Sequence, residues 1–467
     1  MKKYFLLLGI ALLFPGATWA AGGSDYPPPP AAGQPVSVED SVYGVLRSHR
    51  ALRGMQENRQ VLEHEVRRAQ AGFGPRVDVT ARAGSSLLSD SSTRRQNLDD
   101  QMYGMVGLSA QLVQPIWDGF ATRSRVRTAK STLESVKHRV FDTATSLSLD
   151  GIIAHIDLLR RRNIYALSED NVSRHRQLVG QAQERADLGA DTAADVAQAQ
   201  SRLQRALSSR SEARAALLVA EETYSRLTGL SALGKMLPVP MPPEIYPEAA
   251  AVFAQVEKSN PKLAAYLQDI RVARGERELA ESALYPTLNL EAGPNYTNRG
   301  GGTDRWVYSF DVMGVVRWNV FNSGADLAET RAASARMRQA RQAMHNLVDD
   351  LKLEVESTWT NYQAAKEQYE HYSKAIEYNK YTRSAYIEQF QIGKRSILDV
   401  LDTESELYNS STQAETARGN ILVGAYRLSA ITGNLLPQMS IVTTPLEQAP
   451  PKDPVDPREE FAPGWFN

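Results

Sequence analysis

Apolar residues recur at spacings of three, four and seven along the second half of the chain. Leu347, Leu351, Val355, Trp359, Tyr362, Tyr369, Tyr372 and Ile376 form one such stripe. That period belongs to a helix with a narrow, coiled-coil-like apolar seam. No proline falls between Pro115 and Pro238, or between Pro294 and Pro437. Both stretches are rich in Ala, Leu, Glu, Gln, Arg and Ser and poor in Gly, and stretches this long without a breaker imply long helices. Very long helices are expected over 119–187 and 325–391, each roughly 100 Å at ~1.5 Å per residue. Gly189 and Gly393 follow them, as left-handed terminating residues would. Return helices are expected over 192–227 and 396–432. Earlier in each half the period changes to two. Val77, Val79, Ala81 and Ala83 alternate with Arg76, Asp78, Thr80 and Arg82. Val106, Leu108, Ala110 and Leu112 alternate with Met105, Gly107, Ser109 and Gln111. Leu288, Leu290 and Ala292 alternate with Thr287, Asn289 and Glu291. Trp306, Tyr308, Phe310, Val312, Val316 and Trp318 oppose Ser309, Asp311 and Arg317. Each alternation predicts a strand with one apolar face. A helix is expected before each strand pair, over 37–71 and 248–283, ended by Pro75 and Pro286.

The two halves align with one another. LGADTAADVAQAQSRL (188–203) matches IGKRSILDVLDTESEL (392–407) at a constant separation of 204 residues, placing Gly189 on Gly393, Asp195 on Asp399 and Leu203 on Leu407. LTG (227–229) and ITG (431–433) keep that separation, and Pro75 matches Pro286. The expected organisation is a leader (1–20), a Pro-rich linker (21–35), a first structural repeat (36–230), a joint (231–247), a second repeat (248–434) and a Pro-rich tail (435–467). The period is far too long for a short-repeat solenoid.

Composition narrows what this fold can do. Lys2 and Lys3, an apolar run from Tyr4 to Phe14, and Thr18-Trp19-Ala20 read as a secretory signal peptide cut after Ala20. No later apolar run reaches the ~18 residues of a spanning helix. Membrane insertion would therefore be as a β-barrel. With 53 basic against 54 acidic residues the net charge is −1, which leaves no footprint for nucleic acid. The absence of cysteine removes disulfides, thiolate sites and a lipidated N-terminal Cys. The seven histidines form no metal-ligand spacing, and no nucleophile elbow or phosphate loop occurs. No cofactor, metal or enzyme activity is expected. The strand pairs suit soluble hairpins with one solvated face. They are equally long enough to cross an outer membrane, with Tyr103, Trp117, Tyr285, Trp306 and Trp318 as interfacial aromatics. Four strands cannot close a transmembrane barrel, and an open edge does not survive in lipid. A membrane reading therefore requires several copies, with a shared barrel continued by helices into the periplasm. A soluble periplasmic coiled-coil scaffold without a pore is the alternative outside transport.

GKRSILDVLDTESELYNS (393–410), its weaker partner GADTAADVAQAQSRL and the duplicated strand–long helix–return helix plan resemble the TolC family of outer-membrane channels, over nearly all of 36–434. The resemblance implies a mainly α fold with a membrane β-hairpin per repeat. Three chains would share a 12-strand β-barrel and a long coiled-coil helical barrel. It implies a homotrimer in outer-membrane lipid, docked through a periplasmic adaptor onto an inner-membrane ABC transporter or efflux pump. The function implied is the exit duct of a type I secretion system passing unfolded protein, or alternatively the outer component of a drug or metal efflux pump. Matched residue by residue, the periplasmic entrance ring falls on Asp399 and Asp402, where multivalent cations could plug the pore. The gate contacts fall on Asp195, Phe390 and Arg395, with Arg395 facing Asp195 as an ion pair. Adaptor-docking tips fall on Leu188, Gly189, Ala190, Ile392, Gly393 and Lys394. Phe390 stands where the family often has Tyr, so a hydroxyl-based latch is not expected. Ala194 likewise supplies no polar neighbour.

Overall fold

The structure, a computed structural model, describes residues 26–31, 34–87, 89, 91–95, 102–242, 246–298 and 306–441. The leader, most of the tail and the tip of the second hairpin loop lie outside the described residues. One element order runs twice. In the first half, helices α1 (Val38–Ser48) and α2 (Arg50–Ala71) lead to strand β1 (Arg76–Ser86), a short helix α3 (Ser91–Arg95) and strand β2 (Tyr103–Trp117). Helices α4 (Ala121–Asp187) and α5 (Ala193–Thr228) follow. In the second half come α6 (Ala249–Ser259), α7 (Pro261–Ser282), β3 (Thr287–Asn298), β4 (Trp306–Arg317), α8 (Ala325–Gln391) and α9 (Ile397–Ile431). A last turn, α10 (Leu435–Gln438), closes the described chain.

The expectation of single helices over 37–71 and 248–283 is corrected: both are broken. His49 and Asn260 adopt extended backbone (ψ 116° and 120°), each ending one helix and starting the next. At the second break the cause is Pro261, which has no N–H and keeps its predecessor out of helical geometry. Asn260 then caps α7 by accepting from the Leu263 N–H (2.8 Å), and its amide donates to the Ile431 carbonyl (2.8 Å). At the first break no proline is present, and the local sequence gives no equivalent signal.

The four strands form one antiparallel sheet in the order β1-β2-β3-β4. Register keeps the alternation coherent across it. Val77 pairs with Leu112, Leu112 with Ala292, and Ala292 with Val312. Ala81, Leu108, Tyr296 and Tyr308 form a second apolar row. Thr80, Ser109, Asn295 and Ser309 form a row on the other face, where Arg317 also pairs with Glu291 (2.9 Å). Gly293 is needed where β3 crosses β2, because a Cβ there would collide with the Ala110 carbonyl oxygen. One face is thus largely apolar, yet Val79, Leu108, Phe310, Val312 and Val316 are all more than half exposed. β1 and β4 have free edges.

α4 and α8 have 67 residues each, about 100 Å. They run the length of the helical part. Near the sheet the helices sit side by side as α2, α4, α7, α8; towards the far tips they sit as α5, α4, α9, α8. Both rows end on α8 at one side, and on α2 or α5 at the other. The stripe on α8 divides accordingly. Leu347, Leu351, Val355 and Tyr362 are buried against α6 and α9, whereas Tyr372 and Ile376 are half-buried and Tyr369 is exposed, as are Tyr378 and Tyr381 beside the stripe. At the waist, α1, α4 and α5 meet at a fully buried His155. Its Nε2–H donates to the Leu237 carbonyl (3.0 Å) and its Nδ1 accepts from the Ser41 hydroxyl (2.8 Å). Ser41 in turn accepts from the Tyr224 hydroxyl (2.8 Å). Burial pushes the His155 pKa down, which keeps the ring neutral. Leu435, Leu436 and Ile441 fold back into the same core, so the start of the expected tail is structural.

Candidate functional site at the helical tips

Both long helices end in the same way. The Ala190 N–H bonds the Arg185 carbonyl (2.8 Å) and the Gly189 N–H bonds that of Ala186 (3.0 Å). Lys394 and Gly393 repeat the pattern on Gln389 and Phe390 (2.8 and 3.0 Å). This is the Schellman arrangement, which needs a left-handed residue. Gly189 and Gly393 supply it at φ 75° and 74°. The return helices start on Thr192 and Ser396. These turns leave Leu188 and Ile392 at the extreme end of the molecule, 79% and 66% exposed.

Behind the turns the two hairpins are joined by an apolar cluster. Leu178, Ala182, Val196 and Ala199 of the first pack against Phe390, Ile397, Val400 and Leu401 of the second. Phe390 is buried at its centre. Arg185 spans the joint: its guanidinium lies 4.7 Å from the Phe390 ring centroid and donates to the Phe390 carbonyl (3.2 Å). The same group pairs with Asp191 (3.1 Å). So a guanidinium, not a phenolic hydroxyl, links the tips at this position.

The other sequence-derived positions also find partners within the chain. Asp195 is engaged in a capping box, accepting from the Thr192 N–H (3.0 Å) and hydroxyl (2.7 Å). Those bonds hold its pKa below the usual carboxylate value. Arg395 lies over the Tyr386 ring (4.2 Å), donates to Gln389 (3.2 Å) and faces Asp399 (3.4 Å). The expected Arg395–Asp195 pair is therefore not made within one chain, because each group is committed to its own hairpin. Asp402 pairs with Arg202 of α5 at 2.6 Å, a second bridge between the hairpins. Asp399 and Asp402 stay open to solvent, their side chains 40% and 62% exposed, each beside an arginine.

Three further groups escaped the sequence reading. Arg185 and Arg202 carry no distinguishing pattern. Glu404, by contrast, occupies a place in the apolar spacing Ile397, Val400, Glu404, Leu407, and an acid in such a seam is a visible anomaly. It is 4% exposed.

Two segments, 42–230 and 252–434, match the model of the outer membrane efflux protein family. The chain belongs to that family. It is 26% identical to the outer membrane efflux protein BepC of Brucella suis over 377 residues, 80% of each chain. It is 25% identical to the alkaline protease secretion protein AprF of Pseudomonas aeruginosa over 393 residues, 80% of this chain and 81% of that one. Among solved structures, CusC superposes with a TM-score of 0.74 at 14% identity, over 85% of this chain and 91% of that chain. The outer membrane protein VceC of Vibrio cholerae does so with a TM-score of 0.72 at 16% identity, over 85% and 96%. The fold is thus that of a TolC-type channel, a helical tunnel with a β domain. Membership of this efflux family places the protein in the outer membrane, with its helices in the periplasm, as a channel and not an enzyme. No helix among the described residues is long and apolar enough to cross a membrane.

Proposed function

We propose that three copies of this chain close into one duct, which serves as the outer-membrane exit of a type I secretion system. The observation that carries closure is the coincidence of free edges. β1 and α2 lie at one side of the subunit, β4 and α8 at the other. A single rotational contact then pairs β4 with a neighbour's β1 and covers the exposed tyrosines of α8. Three subunits of four strands exceed the minimum of eight for a membrane barrel, whereas an open sheet is excluded by its unpaired backbone. Unfolded protein would pass from an inner-membrane ABC transporter, through a periplasmic adaptor seated on Leu188–Ala190 and Ile392–Lys394, into the tunnel.

The secretion reading is supported by the likeness to a protein named for alkaline protease secretion. The likeness to BepC, named for efflux, favours the second reading, a small-molecule pump. The secreted-protein profile of a deletion strain, compared with parent and complemented strains, decides between them. Loss of a large exported protein is expected. An unchanged profile with raised dye accumulation would establish efflux instead.

Asp399 and Asp402 are three apart on α9 and share a face. In the trimer they would ring the entrance. Asp399→Ala with Asp402→Ala is expected to abolish block by multivalent cations in bilayer recordings, since stacked carboxylates in a narrow pore are what such ions bind. Unchanged block would place the constriction elsewhere. The gate role of Asp195 and Arg395 is proposed as a contact between neighbouring subunits, where each can add a partner to those it has.

A further inference from the structure

Glu404 sits two residues beyond Asp402 and so faces the opposite way, into the seam between the hairpins. It meets two guanidinium groups there. Arg383 of α8 belongs to its own hairpin and lies 3.6 Å away. Arg174 of α4 belongs to the other hairpin and lies 3.8 Å away. Neither distance is a hydrogen bond. Arg174 is already bonded to Asp170 (2.8 Å), and Arg383 Nε is a buried donor with no hydrogen-bond partner. A carboxylate removed from water and held only by such loose pairs does not recover its hydration.

We propose that Glu404 is a built-in opposing charge in the closed entrance: ionised, it weakens the seat of α9 on α4, and neutralised, it lets the two hairpins close more tightly. It is a positioning residue and need not touch the transported molecule. The inference rests on the tips being the tunnel entrance.

The sign of the pH response follows from its surroundings. Burial raises the Glu404 pKa above the ordinary glutamate value. Arg383 and Arg174 pull it back, and Asp170 adds to the rise. His175, next to Arg174 on α4, is buried and kept neutral by a lowered pKa, so it changes charge only in stronger acid. A closed state with a raised pKa holds the proton more tightly than a state with Glu404 in water. Acid therefore stabilises closure as pH falls through that raised value, and the effect is lost as pH rises above it.

The test uses the full-length channel in bilayers, with spin labels at Gln181→Cys and Glu406→Cys, one on each hairpin, in a chain that has no native cysteine. Glu404→Gln is expected to lower resting conductance about threefold to tenfold. It should also shorten the label distance and remove the closing effect of acid expected of the wild type. Glu370→Gln, in an exposed pair with Lys374 on α8, should change none of these. Unchanged conductance, label distance and pH response in Glu404→Gln, or a higher conductance, would overturn the proposal. A shortened distance with unchanged conductance would support the role of Glu404 and overturn the placement of the entrance at the tips. Glu404→Asp, which keeps the charge, should retain the pH response, and its loss there would reduce the effect to packing.

Discussion

Phe310→Arg is expected to prevent assembly of the channel, while Ser309→Arg, one residue away, is expected to assemble. The two positions differ only in face. Phe310 lies within the apolar face of the sheet, pairs with Pro294 of β3 and is 61% exposed in the single chain. Closure into a barrel would place that surface against lipid. Ser309 pairs with Asn295 on the face carrying Glu291 and Arg317. An arginine on the lipid face near the bilayer midplane costs about 2–4 kcal/mol, and falls towards zero near the interfaces. A rotationally symmetric assembly bears that cost once per subunit. The measurement is the amount of heat-modifiable trimer in outer-membrane fractions. Equal assembly of both variants would show that the apolar face does not meet lipid, and would return the soluble-scaffold reading.

That prediction rests on a pattern readable in the sequence, because strand alternation has a period of two and tolerates no slip. A one-residue shift would bring Asp78 or Asp311 onto the apolar face. The long helices were legible for a similar reason: a proline-free run with a glycine at its end leaves little alternative. The broken leading helices show the limit. Pro261 announces its own break, but His49 has no proline beside it and nothing local announces its extended backbone, while α1 and α2 both pack on α4. The tips divide in the same way. Gly189 and Gly393 are local signals, dictated by the left-handed backbone that ends each long helix. Arg185 and Arg202 act across a joint between hairpins roughly 200 residues apart in sequence. Spacing within one helix carries no record of such a pairing. The expected pair between Arg395 and Asp195 failed within the chain for the same reason. A capping box at Thr192 and a ring at Tyr386 are nearer partners, and local partners win when the loop to a distant one must first be ordered.

Arg185→Ala is expected to leave the channel assembled but open at rest. The contacts it removes between hairpins are a hydrogen bond to the Phe390 carbonyl and a guanidinium stacked on the Phe390 ring. A charge-assisted hydrogen bond contributes about 1.5–3 kcal/mol and an exposed cation–π contact about 0.5–1 kcal/mol. Partial exposure of Arg185 reduces both, so about 2 kcal/mol per subunit is a reasonable sum, near thirtyfold in the open-to-closed ratio. Single-channel conductance of the purified trimer measures it directly. Arg185→Lys keeps the charge and loses the planar fork, so it should lie between wild type and alanine. The Glu404 variant provides a check on sign. Arg185 holds Phe390 against the first hairpin, and ionised Glu404 weakens the same joint from within. If both act on one closing equilibrium, Arg185→Ala with Glu404→Gln should conduct less than Arg185→Ala alone. A double variant as open as the single one would separate the two sites and confine the latch to Arg185.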